Sequence, residues 1–256
     1  GLLAGCGSSD KTEESTKTEE TAKEETSSQE ETETKAASSD SDNVASEEEA
    51  EKAGFSDGSD EKSDSADTDS ENKDSSDSST TSVLLDTSKE LTGIHHAEIE
   101  VKDYGTIDVE LDADTAPITV TNFVKLAQEG FYDGLTFHRI MDGFMIQGGD
   151  PNGDGTGGSK ENIKGEFSNN GVDNDISHTR GTISMARASD PDSASSQFFI
   201  VQADSTFLDG DYAGFGHVTE GMDIVDKICE DAKPTDDNGT IPSDQQPVIE
   251  KITITD

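Results

Sequence analysis

The chain has 256 residues and carries 58 Asp and Glu against 18 Lys and Arg, a formal net charge of −40. That balance argues against nucleic-acid binding, which requires a basic surface to neutralise phosphates, and no basic stripe is present. No apolar run is long enough to form a bilayer-spanning helix, so the plain account of the acidity is solubility.

In chain order, the first feature is Leu2-Leu3-Ala4-Gly5-Cys6. It resembles the lipobox of bacterial lipoproteins, whose Cys is acylated and becomes the mature N-terminus after signal cleavage. Small residues before the cut suit a signal peptidase, although only the tail end of such a signal stands in this sequence. The resemblance implies a signal-peptide remnant at 1–6, lipidation at Cys6 and a bacterial membrane anchor facing outside the cytoplasm. A chance match of a short motif is the competing reading.

Residues 7–90 read as an acidic Ser/Thr/Glu/Asp-rich stem. Up to Glu90 there are 27 acidic and 8 basic residues, and between Asp10 and Ser82 the only large apolar side chains are Val44 and Phe55. Such a segment buries too little surface to offset its ordering entropy and is expected to be disordered. As a flexible coil, ~80 residues reach roughly 50 Å.

Residues 91–256 have the length of one compact domain. Ala97, Ile99 and Val101 alternate with Glu98, Glu100 and Lys102, and after Asp103-Tyr104-Gly105 the alternation resumes at Ile107, Val109 and Leu111. This pattern predicts a β-hairpin. Val120, Phe123, Val124 and Ala127 have the spacing of a buried helical face, with Pro117 near the start and Gly130 at the end. Further strands are expected at 135–140, 144–148, 182–186, 197–202, 213–218 and 248–254, and a second helix at about 221–230. Eight short strands and two helices predict a mainly β fold, a closed eight-stranded antiparallel barrel capped by two α-helices. Cys229 ends the apolar face of the second helix and reads as a buried structural thiol.

The chemistry is concentrated in three blocks. Phe137-His138-Arg139-Ile140 leads into Gly143-Phe144-Met145-Ile146-Gln147-Gly148-Gly149-Asp150. Ser184-Met185-Ala186-Arg187 leads into Ser196-Gln197-Phe198-Phe199-Ile200. The third runs from Phe207-Leu208-Asp209-Gly210 through Tyr212 to Phe215-Gly216. Together they describe an apolar pocket with a fixed cation and a few hydrogen-bonding groups, without an evident nucleophile and partnered base, which argues against hydrolysis.

In this order and spacing the blocks resemble those of cyclophilin-type peptidyl-prolyl cis-trans isomerases, from about Ala97 to the C-terminus. The resemblance implies catalysis of X-Pro bond rotation without a cofactor. Arg139 takes the place of the catalytic Arg, and Phe144, Met145, Phe199 and Leu208 line the proline pocket. Gln147 and Gln197 contact substrate, and the backbone at Ala186 and Arg187 holds the peptide. Phe207 stands where the best-known eukaryotic members carry Trp, Tyr212 where they carry His, and Arg187 where they carry Asn. The missing indole N–H removes a donor from the site of cyclosporin-like inhibitors, so weak inhibition is expected.

Asp150-Pro151-Asn152-Gly153-Asp154-Gly155, with Glu161 at the twelfth position, matches an EF-hand calcium loop. A strand precedes it and Gly-rich sequence surrounds it, so a structural turn is the expected reading and no metal is assigned. His95, His96, His178 and His217 lack a ligand spacing. His138 should face away from Arg139 by strand alternation and pack rather than catalyse. The expected partners are proline-containing polypeptides and, through Cys6, a membrane, with a monomeric chain. The sequence leaves two rivals open: a proline-peptide binding module or holdase with little turnover, and a surface interaction protein in which the stem is the functional part.

Overall fold

The computed structural model describes residues 82–256. The expected signal remnant with Cys6, and the stem as far as residue 81, lie outside the described residues. Among those described, eight strands and two helices follow one another as the periodicity predicts. They are β1 (Ile94–Val101), β2 (Gly105–Asp112), α1 (Pro117–Gln128), β3 (Phe137–Met141), β4 (Met145–Gly148), β5 (Thr182–Met185), β6 (Phe198–Val201), β7 (Gly214–Glu220), α2 (Met222–Asp231) and β8 (Ile249–Ile254).

The strands form one antiparallel sheet in the order β3-β4-β6-β5-β7-β2-β1-β8. Alternation in the first hairpin does what it predicts: Ala97, Ile99, Val101, Ile107, Val109 and Leu111 all point into the core. α1 lays Val120, Phe123, Val124 and Ala127 against the sheet, mainly over β8 and β2. There Phe123 meets Tyr132, Phe198 and Phe215 at ring-centroid distances of 5.3–5.5 Å. α2 buries Val225, Ile228 and Cys229 and packs on β2 and β4.

The expected closed barrel is corrected to a curled, open sheet. Its edge strands β3 and β8 meet at their near ends, through the bridge between Thr136 and Val248 and the hydrogen bonds from Gly134 N–H to Ile249 O, Ile249 N–H to Leu135 O and Phe137 N–H to Pro247 O. Beyond that point the outer edge of β3 is engaged by another segment. Ile140 N–H donates to Gly239 O and Ile241 N–H donates to His138 O, so residues 238–241 satisfy the backbone groups that a closing strand would have taken. This substitution satisfies the edge without a ladder, and it brings Asn238 next to Arg139.

Candidate active site

Register places the functional side chains in one row. Arg139 on β3 pairs with Gln147 on β4, Gln147 with Phe199 on β6, and Phe199 with Ser184 on β5. Directly opposed residues share a sheet face, so four strands present these side chains side by side. Around the row, Phe144, Met145, Ala186, Phe199, Val201, Leu208 and Tyr212 form an apolar cluster separate from the main core. Phe207 is half-exposed and stacks on Phe144 at 5.6 Å. Row and cluster together hold Arg139, Gln147, Phe144, Met145, Ala186, Phe199, Leu208 and Tyr212.

Arg139 is buried to 5 % exposure yet held by oriented partners. Its Nε donates to Asn238 O at 2.7 Å, one Nη to Gln147 Oε1 at 3.2 Å and the other to Met141 Sδ at 3.4 Å. Gln147 Nε2 then donates to Gln197 Oε1, and Gln197 Nε2 to the carbonyls of Gly155 and Gly157. The guanidinium is therefore pre-aimed by a polar chain that crosses the site. The Gly148-Gly149 pair makes that approach possible. A Cβ on Gly148 would lie 2.6 Å from Thr136 O, and Gly149 has φ +84° with Ser196 O 2.7 Å from where its Cβ would be. Only Gly tolerates both demands.

Ala186 and Arg187, expected to hold the peptide through their backbone, also make contacts of their own. Ala186 N–H is engaged by Gln197 O. The Arg187 guanidinium lies between two rings, 5.0 Å from the Phe167 centroid and 4.8 Å from that of Tyr212, and donates to the carbonyls of Asp211 and Ala188. It braces the Tyr212 wall of the apolar cluster by cation–π contact.

One histidine reading is corrected and another extended. His178, without a ligand spacing, has two close partners: Asp209 Oδ1 lies 2.8 Å from Nδ1, and Nε2 lies 2.9 Å from Ser184 Oγ. A carboxylate only accepts, so Nδ1 carries the proton and Nε2 accepts from Ser184. This is the nucleophile-and-base geometry that the sequence did not reveal. It is sealed, with both Ser184 and His178 fully buried and His178 stacked against Phe199 at 6.0 Å. It braces the pocket floor and offers no hydroxyl to a substrate. His138, expected to face away from Arg139, lines the same cavity as Arg139. A register shift between Phe137 and Arg139 makes His138 the extra residue of a β-bulge, and a bulge breaks alternation.

The calcium-loop match resolves into a turn around a buried carboxylate. Asp150 accepts the N–H groups of Asn152, Asp154 and Gly155, and Glu161 pairs with Lys125 at 3.7 Å. Cys229 is buried, and burial followed by the nearby Asp142 and Asp226 carboxylates pushes its thiol up to about 12.

The buried histidines set the response to acid. Burial holds His178 below its ordinary value, opposed by Asp209. Burial lowers His138 to about 4, with Arg139 adding to the shift and Asp150 and Asp154 opposing it. Both are neutral in the fold, whereas in the unfolded chain they take up protons below about pH 6.5. Stability is therefore fully present above that pH and is lost as pH falls toward 4, by roughly 3 kcal/mol for His138 alone. Urea denaturation at stepped pH should show this slope, and His138→Leu should flatten it. An unchanged slope in the variant would remove His138 from the account.

The site is thus an anchored guanidinium beside an apolar pocket, with the one serine–histidine pair described above sealed from solvent. The comparisons give that site its family. The chain belongs to the cyclophilin-type peptidyl-prolyl cis-trans isomerases, whose family model matches residues 96–256. It is 46% identical over 135 residues to a peptidyl-prolyl cis-trans isomerase A of Dickeya dadantii, covering 49% of this chain and 67% of that protein. It is 48% identical over 125 residues to isomerase B of Bacillus subtilis, covering 49% and 84%. Among solved structures, a cyclophilin of Cryptosporidium parvum determined in the presence of the dipeptide Ala-Pro superposes with a TM-score of 0.55 at 30% identity, over 62% of this chain and 98% of that one. The protein is a peptidyl-prolyl cis-trans isomerase.

Proposed function

We propose that this isomerase works on proline-containing chains outside the cytoplasm, held at a bacterial membrane by a lipid on Cys6, with Arg139 as its catalytic residue. The observation that carries the site assignment is the row Arg139–Gln147–Phe199 beside the apolar cluster. Proline seats between Phe144, Met145, Phe199, Leu208 and Tyr212, with Phe207 at the rim and Gln147, Gln197 and the Ala186–Arg187 backbone along the peptide. Rotation about the X-Pro bond breaks amide resonance, whose barrier is roughly 18–20 kcal/mol. In the twisted state the prolyl nitrogen regains a lone pair. A guanidinium N–H aimed at that lone pair binds the twisted state better than the planar one. The Met141 thioether is a weak acceptor, which the nitrogen outcompetes. Lowering the barrier by about 5 kcal/mol gives a gain of several thousandfold.

The test is magnetisation-exchange NMR on an Ala-Pro peptide with the full chain. Exchange accelerated from tens of seconds to below a second supports the reading; binding shifts without acceleration would replace it with a binding module. For the anchor, Cys6→Ala should move the protein from the membrane to the soluble fraction and abolish fatty-acid labelling. Labelling that persists would sink the lipid assignment. Cyclosporin should inhibit turnover weakly, because Phe207 offers no N–H donor; nanomolar inhibition would refute that expectation.

A further inference from the structure

A cavity of about 320 Å³, lined mainly by polar residues and by none of the apolar cluster, opens beside Arg139. The β-bulge puts His138 into its wall, the edge-capping segment contributes Thr240 and Ser243, and the turn around Asp150 contributes Asn152 and Asp154. His138 is 4 % exposed, and neither ring nitrogen has a hydrogen-bond partner. A buried imidazole in that condition is costly unless something pairs with it. Of the lining amides, Gln147 is matched with Arg139 and Gln197, Gln246 with Thr136, Gly153 and Ile241, and Asn152 with Thr156. Asp154 Oδ1 accepts from the Thr156 N–H and hydroxyl, and the carboxylate also interacts with Asp150. The wall therefore offers an incoming donor the His138 ring nitrogens and the Asp154 carboxylate, with Asp244 next to Ser243 in the chain.

We propose that this cavity is a specificity subsite for a basic side chain, Lys or Arg, lying a few residues from the bound proline. The ammonium or guanidinium meets the Asp154 carboxylate, and the imidazole of His138 turns a ring nitrogen to accept from it. Arg139, the one cation among the lining residues, is tethered to Asn238 O and Gln147 Oε1 and is shared by both compartments. A peptide whose proline sits on the apolar cluster must therefore pass the mouth of this cavity. The proposal rests on Arg139 being the point past which the substrate runs.

The experiment is a peptide series with Lys, Gln or Glu placed in turn at each position flanking a single proline, assayed by exchange NMR with the full chain. The expected result is a preference for Lys over Gln of about fivefold in kcat/KM at one position only. Asp154→Asn, which keeps the acceptor that holds Thr156, should bring that ratio to about one. A Lys preference of equal size at every position, fading with added salt, would reflect the chain's overall negative field and overturn the subsite. A preference that survives Asp154→Asn, or no preference at all, would overturn it too. If no peptide is turned over, the isomerase assignment of Arg139 fails separately. The subsite is then judged by titrating the Lys peptide and following the His138 ring and Ser243 amide resonances. Movement of both with Lys and not with Gln supports it, and silence overturns it.

Discussion

Arg139→Ala should remove turnover by about a hundred- to a thousandfold while leaving the protein folded. The fold is expected to survive because Arg139 contributes to the polar chain on the sheet surface and not to the main core. Its deletion leaves Asn238 O and Gln147 Oε1 facing an open cavity, where water replaces the lost donors. Arg139→Lys should recover little. One ammonium cannot reach Asn238 O and Gln147 Oε1 together and still present a donor to the prolyl nitrogen, whereas the planar guanidinium does. The readouts are exchange NMR for turnover and circular dichroism for folding. Full turnover in a folded Arg139→Ala chain would transfer catalysis to another group.

What could be read from the sequence divides along one line, between local pattern and long-range completion. Alternation in residues 97–111 and the 3.6-residue spacing from Val120 to Ala127 located elements correctly, because burial of one face is a local property. The site blocks were legible because each strand carries its own functional residue. What failed depended on partners distant in the chain. Closure of the barrel was misread because β3 is satisfied by residues 238–241, about a hundred positions later. His138 was turned the wrong way because one bulge resets alternation, and no residue type announces a bulge there. The pairing of His178 with Asp209 was not legible because the two are 31 positions apart. Arg187 was read for its backbone alone, since nothing near it in sequence foretold that Phe167 and Tyr212 would close on its guanidinium.

The start of α1 carries the same lesson and yields the second large effect. Pro117 at its first position signals a helix N-terminus, yet Ala116 offers no capping side chain and the first turn holds no acidic residue. The cap comes from Glu166, 2 % exposed, whose carboxylate accepts from Ile118 N–H at 3.0 Å, Thr119 N–H at 2.8 Å and Thr119 Oγ at 2.6 Å. A buried carboxylate on these orphan donors satisfies them and complements the positive end of the helix dipole. Glu166→Ala leaves the donors buried and unpaired and should cost about 3 kcal/mol, or roughly 10 °C in Tm. Glu166→Gln keeps one acceptor oxygen but turns an NH2 toward another N–H, so it should recover only part of the loss. Thermal melts of the two variants check this, and a Glu166→Ala melt within a degree of the parent would refute it. Because Phe167 follows directly and lies against Arg187, which braces Tyr212, loosening residue 166 should also raise KM for proline peptides with kcat little changed. The helix that builds the core and the Tyr212 wall of the apolar cluster are thus held by adjacent residues of one loop.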